Sequence, residues 1–362
     1  MSILIFIIVI VALIVVHELG HFVVAKLSGM RVDEFGLGYP PRAAIIGKAG
    51  ETILSLNWLP FGGFVKIYGE DGEGKGSRAF SMRPRIFQAL VLIAGIAMNL
   101  LFAYVLITGA LIAGTPRALS PAELATARNV ELAVANVLPG TPAALAGILP
   151  GDSILDAKDA EGQWHSVDPA SFSAFIAASH GDAVTLDVKH NGEEYIITTT
   201  PVAGVVPNDP SRYALGIEVA TIGTAPLSPG SAVIEGASLT WGSLAITTAG
   251  LWHFFYDIFV FHADFSQVAG PVGIVSVVGS EAAQGLGSLL SIVAIISINL
   301  ALINLIPVPA LDGGRLLFVI IEGIIRRPIK PSVAHAVNSV GFALLVFLMV
   351  VVTAHDIFKI VG

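Results

Sequence analysis

Cysteine is absent from all 362 residues. Its absence excludes disulfides, thiolate nucleophiles and cysteine-ligated metals, so any metal site here must use His, Asp or Glu, and the redox compartment stays open. Charge is scarce as well: Asp, Glu, Lys and Arg make up 13% of the chain. The 19 basic residues are outnumbered by 27 acidic ones, for a net charge of -8. A nucleic-acid partner therefore has no electrostatic support. Apolar residues fill the space, at 54% of the chain with a mean hydropathy of +0.81. Those values lie outside the range of ordinary soluble proteins. The length fits two domains or a membrane bundle with an inserted soluble domain, and the composition selects the second.

Four stretches reach the roughly 20 apolar residues needed to cross a bilayer: Ile3–Lys26, Ile86–Ala113, Leu289–Leu311 and Val333–Ala354. The first lacks a basic n-region and a small-x-small cleavage site, and reads as a retained span rather than a signal peptide. A fifth segment, Ala237–Phe261, is interrupted by Thr, Ser and Gly and rich in aromatics (Trp241, Trp252, Phe254, Phe255, Tyr256, Phe259). That pattern suits an amphipathic segment lying on the membrane or dipping into it. Charge sets the orientation. Segment 26–85 carries nine basic residues and 312–332 carries four; 114–236 has five against fourteen acids, and 237–288 has none. The positive-inside rule then places 26–85 and 312–332 in the cytoplasm and 114–288 outside, which four spans satisfy and five do not.

Residues 130–203 read as a compact soluble domain. Short β-type runs (Leu132–Val137, Val184–Val188, Tyr195–Thr200) flank a helical stretch, Ala170–Ala178, and Asn191–Gly192 is a hairpin-turn signal. Within LPGTPAALAGILPGDSILDAKD, Leu138 to Asp159, a small-residue helix ends at Gly147 and a Pro-Gly-Asp turn leads into a strand. This resembles a PDZ domain in the permuted bacterial arrangement. Such domains take extended peptides onto a sheet edge. The run YALGIEV, Tyr213 to Val219, is a candidate for the strand beside a carboxylate-binding loop; a spacer fold without ligand is the alternative.

The stretch VVHELGHFVV lies inside the first apolar run. His17 and His21, four apart, share one helix face and can ligate one metal ion, with Glu18 beside them as a proton acceptor. An ionisable group in a span costs about 2.5–3.5 kcal/mol on insertion scales, so three polar groups in one turn require compensation. A zinc ion on neutral imidazoles supplies it; polar residues satisfied at a helix–helix contact are the bland alternative. By the 1.5 Å rise, His17 lies about 21 Å along a helix starting near Ile3, toward the cytoplasmic side. Two histidines need a third protein ligand and an open position for water. Asp312, in NLIPVPALDGGR after the third span, arrives at the same depth. Pro307 and Pro309 break the helix there, and Gly313-Gly314 suggests a tight turn presenting Asp312 sideways. The scattered His165, His180, His190, His253, His262, His335 and His355 show no ligand spacing.

HExxH in the first span with NxxPxPxLDG near a later one resembles the site-2 protease family of intramembrane zinc metalloproteases. PFGGFVKIYGE (Pro60 to Glu70), GIAMNLLFA (Gly95 to Ala103) and GPVGI (Gly270 to Ile274) extend the likeness to the bacterial regulator of sigma-E protease group. One departure is that some members carry two tandem PDZ domains, while this chain has room for one. The resemblance implies a polytopic α-helical membrane protein of about four transmembrane helices. It implies an inserted extracytoplasmic α+β PDZ-like domain and a membrane-associated β-hairpin formed by PFGGFVKIYGE, whose edge would pair with unwound substrate; an ordinary amphipathic hairpin on the cytoplasmic face is the alternative. The corresponding parts are 1–113, with HExxH and a cytoplasmic-side β-loop; 114–230, the PDZ-like domain and linkers; 231–288, membrane-associated; and 289–362, with NxxPxPxLDG.

The resemblance further implies Zn2+ held by His17, His21 and Asp312, with Glu18 as general base. Asn304 would position substrate or stabilise the oxyanion, with helix capping as the alternative. For Asn99, a substrate role and interspan hydrogen bonding both stay open. Gly62 and Gly63 would let substrate backbone come close. Expected partners are the lipid bilayer, single-span membrane substrates such as anti-sigma factors or cleaved signal peptides, and peptide C-termini at the insert. The location would be the bacterial inner membrane. Metal transport and a non-catalytic PDZ scaffold are the competing readings. Neither needs a base beside the first histidine, and no inverted repeat of the motif supports transport.

Overall fold

The computed structural model describes residues 2–70, 74, 76–190, 192–206, 209–260, 270–327 and 329–361. The chain begins with α1 (Ser2–Leu27), β1 (Val32–Ala49), β2 (Thr52–Ile67) and α2 (Arg85–Ala113). Then follow β3 (Pro116–Ala118), β4 (Arg128–Val137), α3 (Pro142–Leu145), β5 (Ser153–Lys158), β6 (Gln163–Trp164) and α4 (Pro169–Ala178). Next are β7 (Val184–His190), β8 (Glu193–Thr199), β9 (Ile217–Thr224), α5 (Pro229–Phe259) and α6 (Pro271–Gln284). The chain closes with α7 (Leu286–Leu305), α8 (Asp312–Ile325) and α9 (Pro331–Val361). These elements form two units, Met1–Ile112 with Ser228–Gly362, and Ala113–Leu227.

Among the described residues of the first unit, four helical stretches are long and apolar enough to cross a membrane: Ser2–Leu27, Arg85–Ala113, Leu286–Leu305 and Ser332–Asp356. The third stops at Leu305, short of the expected Leu311. Pro307 has no N–H to continue the ladder, and the Ile306 N–H closes the end on the Ile303 carbonyl. α1 and α2 touch at Gly20, where a Cβ would overlap the Ala94 carbonyl. The Gly313-Gly314 pair is not the tight turn expected from sequence. Both residues are buried in the first turn of α8, where a Cβ would overlap the carbonyls of Leu305 and Ile306, or of Val308. Their smallness folds α8 back onto the chain that precedes it. α8 then buries Val319 among Ala25, Met30, Val32, Ile67 and Phe80. Two ion pairs hold it as well, Arg315 with Glu70 and Arg85 with Glu322.

The expected membrane-associated segment 231–288 contains α5, one helix of 31 residues capped by Ser228, and α6. Residues 261–269 between them, including His262, lie outside the described residues. Trp241 and Trp252 on α5 are each 73% exposed. α6 begins where the N–H groups of Gly270 and Gly273 donate to the buried Asp356 carboxylate, at 3.2 and 2.9 Å.

The expected β-hairpin of PFGGFVKIYGE is only part of a larger folded ribbon. β1 and β2 pair so that residues 34–37 have two sets of partners. On one side Glu34, Phe35, Gly36 and Leu37 face Lys66, Val65, Phe64 and Gly63, antiparallel; on the other they face Ile53, Leu54, Ser55 and Leu56, with numbers rising together. The second half of β1, Arg42 to Ala49, runs back along 52–57. Each strand is thus bent near its middle, β2 around Gly62 with φ +82. Proline at 60 and glycine at 62 make a corner, where the sequence suggested a loop. Gly63–Ile67 becomes an outer strand whose second edge pairs with no strand among the described residues.

The second unit is a seven-stranded sheet in the order β3-β9-β4-β5-β7-β8, with β6 on β5. Inward-facing Leu132, Val134, Ile154, Val184, Leu186 and Val188 pack on Phe172 and Ile176 of α4. Asp168 caps α4 by accepting from the Ala170 and Ser171 N–H groups. The hairpin turn expected at Asn191–Gly192 falls partly on Asn191, which lies outside the described residues; its flanks pair as His190 with Glu193. Of YALGIEV, only Ile217–Val219 enters β9; Ala214 bridges Val202, and Gly216 turns at φ +82.

Candidate metal centre

His17 and His21 share one face of α1, and Asp312 is the first residue of α8. His17 Nε2 lies 3.0 Å from Asp312 Oδ2, and His21 Nε2 lies 3.2 Å from that same oxygen and 3.2 Å from His17 Nε2. One ligand atom from each of the three residues falls within 4.8 Å of the others. Both imidazoles are fixed from behind by α2. The Nδ1–H of His21 donates to the Val91 carbonyl at 2.8 Å. His17 Nδ1 meets the amide of Asn99 at 3.1 Å. Gly95 lies one turn before Asn99, and a Cβ there would overlap His21 Nε2. The α2 pair at i and i+4 therefore faces the α1 pair at i and i+4.

The donor set is a test of what the site accepts. His21 has its one neutral-state proton on Nδ1, so its Nε2 is a lone pair. That lone pair faces the Asp312 carboxylate and the His17 ring nitrogen. One proton on His17 Nε2 can satisfy only one of those two acceptors. A convergence of lone pairs is stabilised by a cation, and two imidazoles with a carboxylate match the ligand preferences of zinc. The residues present fit that ion.

The centre opens on a cavity of about 550 Å³ whose wall includes His17, Glu18, His21, Gly62, Gly63, Asn304 and Asp312. The expected site residues thus come together there, with one exception. Asn99 is fully buried behind His17 and does not line the cavity, because it sits on the α2 face packed against α1. Its main-chain carbonyl accepts from the Ser297 hydroxyl at 2.8 Å, tying α2 to α7. Gly63 presses its backbone on α1: a Cβ there would come within 2.8 Å of Ile14 and 3.2 Å of the Glu18 Cγ. Asn304 does not form the cap of α7, which closes at Ile306. Tyr39, whose ring covers Gly62, and the Arg315–Glu70 ion pair also line the cavity and carried no sequence signal. Gly95 did carry one in its spacing from Asn99, equal to that of the histidines. Of the histidines without ligand spacing, His190 has a structural partner, Asp152, at 2.5 Å.

A largely buried N, N, O set of potential ligands beside a carboxylate and an open cavity is the equipment of a metal-dependent hydrolase. The family model described as Peptidase family M50 matches residues 5–348. A candidate zinc metalloprotease of Clostridium perfringens is 37% identical over 348 residues, covering 96% of this chain and 95% of the relative. One from a Nostoc species is 33% identical over 360 residues, covering 96% and 93%. Among solved structures, the PDZ domain of an SdrC-like protein of Listeria innocua matches 25% of this chain and 92% of its own, at 24% identity and a TM-score of 0.21. The chain belongs to peptidase family M50, the site-2 protease family of zinc metalloproteases.

Proposed function

We propose that this protein is an intramembrane zinc endopeptidase. Its substrates are single-span membrane proteins, anti-sigma-factor-like proteins or signal-peptide remnants, cut in or near the transmembrane segment after prior trimming. His17, His21 and Asp312 hold the ion, and Glu18 is the general base. One observation carries this reading: three converging ligand atoms, the Glu18 residue and the Gly63–Ile67 edge, which pairs with no strand among the described residues, meet in one cavity.

Zinc bound there supplies a Lewis acid that polarises a carbonyl and acidifies water. Glu18 takes the proton of the attacking water and returns it to the leaving amide nitrogen, breaking the C–N bond. Helical amides are engaged in their own ladder, so the substrate must first unwind. The edge of Gly63–Ile67 offers its N–H and C=O groups to the opened segment as an added strand. Gly63, lacking a side chain, keeps the space between that strand and Glu18 clear. Asn304, which also lines the cavity, donates its amide hydrogen to the developing oxyanion.

Segments 26–85 and 312–332 face the cytoplasm of a bacterial cell, and the α5–α6 region lies along or within the outer leaflet of the inner membrane. The inserted unit is PDZ-like, takes peptide C-termini and restricts bulky substrates, which makes trimming the gating step. The test is a single-span reporter in proteoliposomes, with and without its outer domain. Cleavage should map inside the span, stop with a zinc chelator and return with zinc. Deleting 130–203 should admit the untrimmed reporter. Cuts confined to soluble flanks would contradict the reading.

A further inference from the structure

Resting on that reading, the geometry points to Asn99 as a positioning residue of the metal centre: its amide oxygen accepts the Nδ1 proton of His17, fixing the tautomer that leaves Nε2 free for the ion. The two histidines need the same tautomer and obtain it differently. His21 faces the Val91 main-chain carbonyl, which can only accept, so its proton is held at Nδ1. His17 faces a side-chain amide, whose nitrogen and oxygen exchange by a half-turn without change of shape.

With the amide nitrogen toward His17, Asn99 Oδ1 is buried without a hydrogen-bond partner and the imidazole proton is forced onto Nε2, against Asp312. A protonated Nε2 cannot ligate. For His17 Nε2 to ligate, the proton must sit on Nδ1, and the atom facing it must accept. The half-turn supplies that acceptor. Among the described residues no other group bonds His17 Nδ1. Asn99 is fully buried, and the Ser297 hydroxyl on its main-chain carbonyl holds the α2 backbone at that level. Outer partners of this kind set ring orientation and ligand basicity, and their loss typically weakens metal binding by about 10–100-fold.

The test measures zinc and not proteolysis. In purified full-length protein, chelator competition should show Asn99→Leu binding zinc about 10–100-fold more weakly than wild type. Asn99→Asp, which keeps an acceptor, should restore most of the affinity. Nitrogen-15 spectra of histidine-labelled, zinc-loaded wild type give a readout independent of how the variants fold. His17 should carry its proton on Nδ1 and its metal on Nε2. Unchanged affinity in Asn99→Leu, or a His17 proton on Nε2 in the loaded protein, overturns the assignment while leaving the protease reading intact. A wild type that binds no zinc overturns both.

Discussion

Among the described residues, two clusters set histidine against a carboxylate, Asp152 and Asp312, and they differ in what is left over. In the inserted unit, Asp152 is fully buried and every acceptor is matched. His190 Nδ1 lies 2.5 Å from one oxygen; the Tyr195 hydroxyl and the Leu149 N–H donate to the other at 2.8 and 2.9 Å. Burial and the neighbouring Asp152 push the Tyr195 phenol up to about 12, so it stays a donor throughout the physiological range. At Asp312 the balance is reversed, with lone pairs outnumbering protons and a cavity alongside. A satisfied cluster fastens a turn to two strands. An unsatisfied one has room for a cation and a reaction.

Substitutions should separate the two clusters. The largest effect is expected for Asp312→Ala, which removes a proposed ligand. Zinc affinity should fall by well over the roughly 100-fold seen for outer partners. Hydrogen exchange across 113–227 should not change. Asp152→Ala should do the opposite: it strands the Tyr195 hydroxyl and the Leu149 N–H, both only partly shielded from water, so each lost bond costs about 1 kcal/mol. Exchange in β5, β7 and β8 should quicken while zinc affinity holds. Coupled changes in both readouts would erase the distinction. Gly95→Ala is expected to be milder, with zinc affinity down about 10-fold as His21 yields to the new methyl group.

The smallest effect concerns Glu123 in the inserted unit. Arg117 first, and then the N–H and hydroxyl of Ser120, hold its carboxyl down at about 2. A depressed folded value stabilises above the ordinary carboxylate range, and the contribution is lost as pH falls through about 2. The pair is only partly shielded from solvent, so the effect is small and local. Exchange protection around 117–123 should differ between wild type and Arg117→Met near neutral pH, and the two should converge below pH 2. A difference that persists there would exclude the ion pair as its cause.

What the sequence made legible was whatever depends on local spacing. His17 and His21 share a face by the helical period, and Asp312 could be placed by counting depth along two spans. The orientation of Asn99 was not legible, because which face of α2 meets α1 is decided by the contact of Gly20 with the Ala94 carbonyl. Gly313-Gly314 read as a turn because local rules favour one after Pro and Asp. Their real constraint is the carbonyls of Leu305 to Val308, which close in only once α8 folds back. The role of PFGGFVKIYGE was half visible. Its glycines announced a close approach, yet only the register of β1 with two stretches of β2 makes Gly63–Ile67 an outer strand. His190 and Asp152 are 38 residues apart in sequence, with no periodicity to join them.

The central claim is that the unsatisfied cluster holds zinc for a proton transfer made by Glu18. Glu18→Gln tests it most directly, since the amide keeps the size of the side chain and loses the base. Zinc content and cleavage of a single-span reporter would be measured on the same purified, reconstituted sample. The expected result is zinc retained at the wild-type level with cleavage reduced by about 10²–10⁴-fold, the usual contribution of a general base. Cleavage at the wild-type rate with zinc in place would contradict the account.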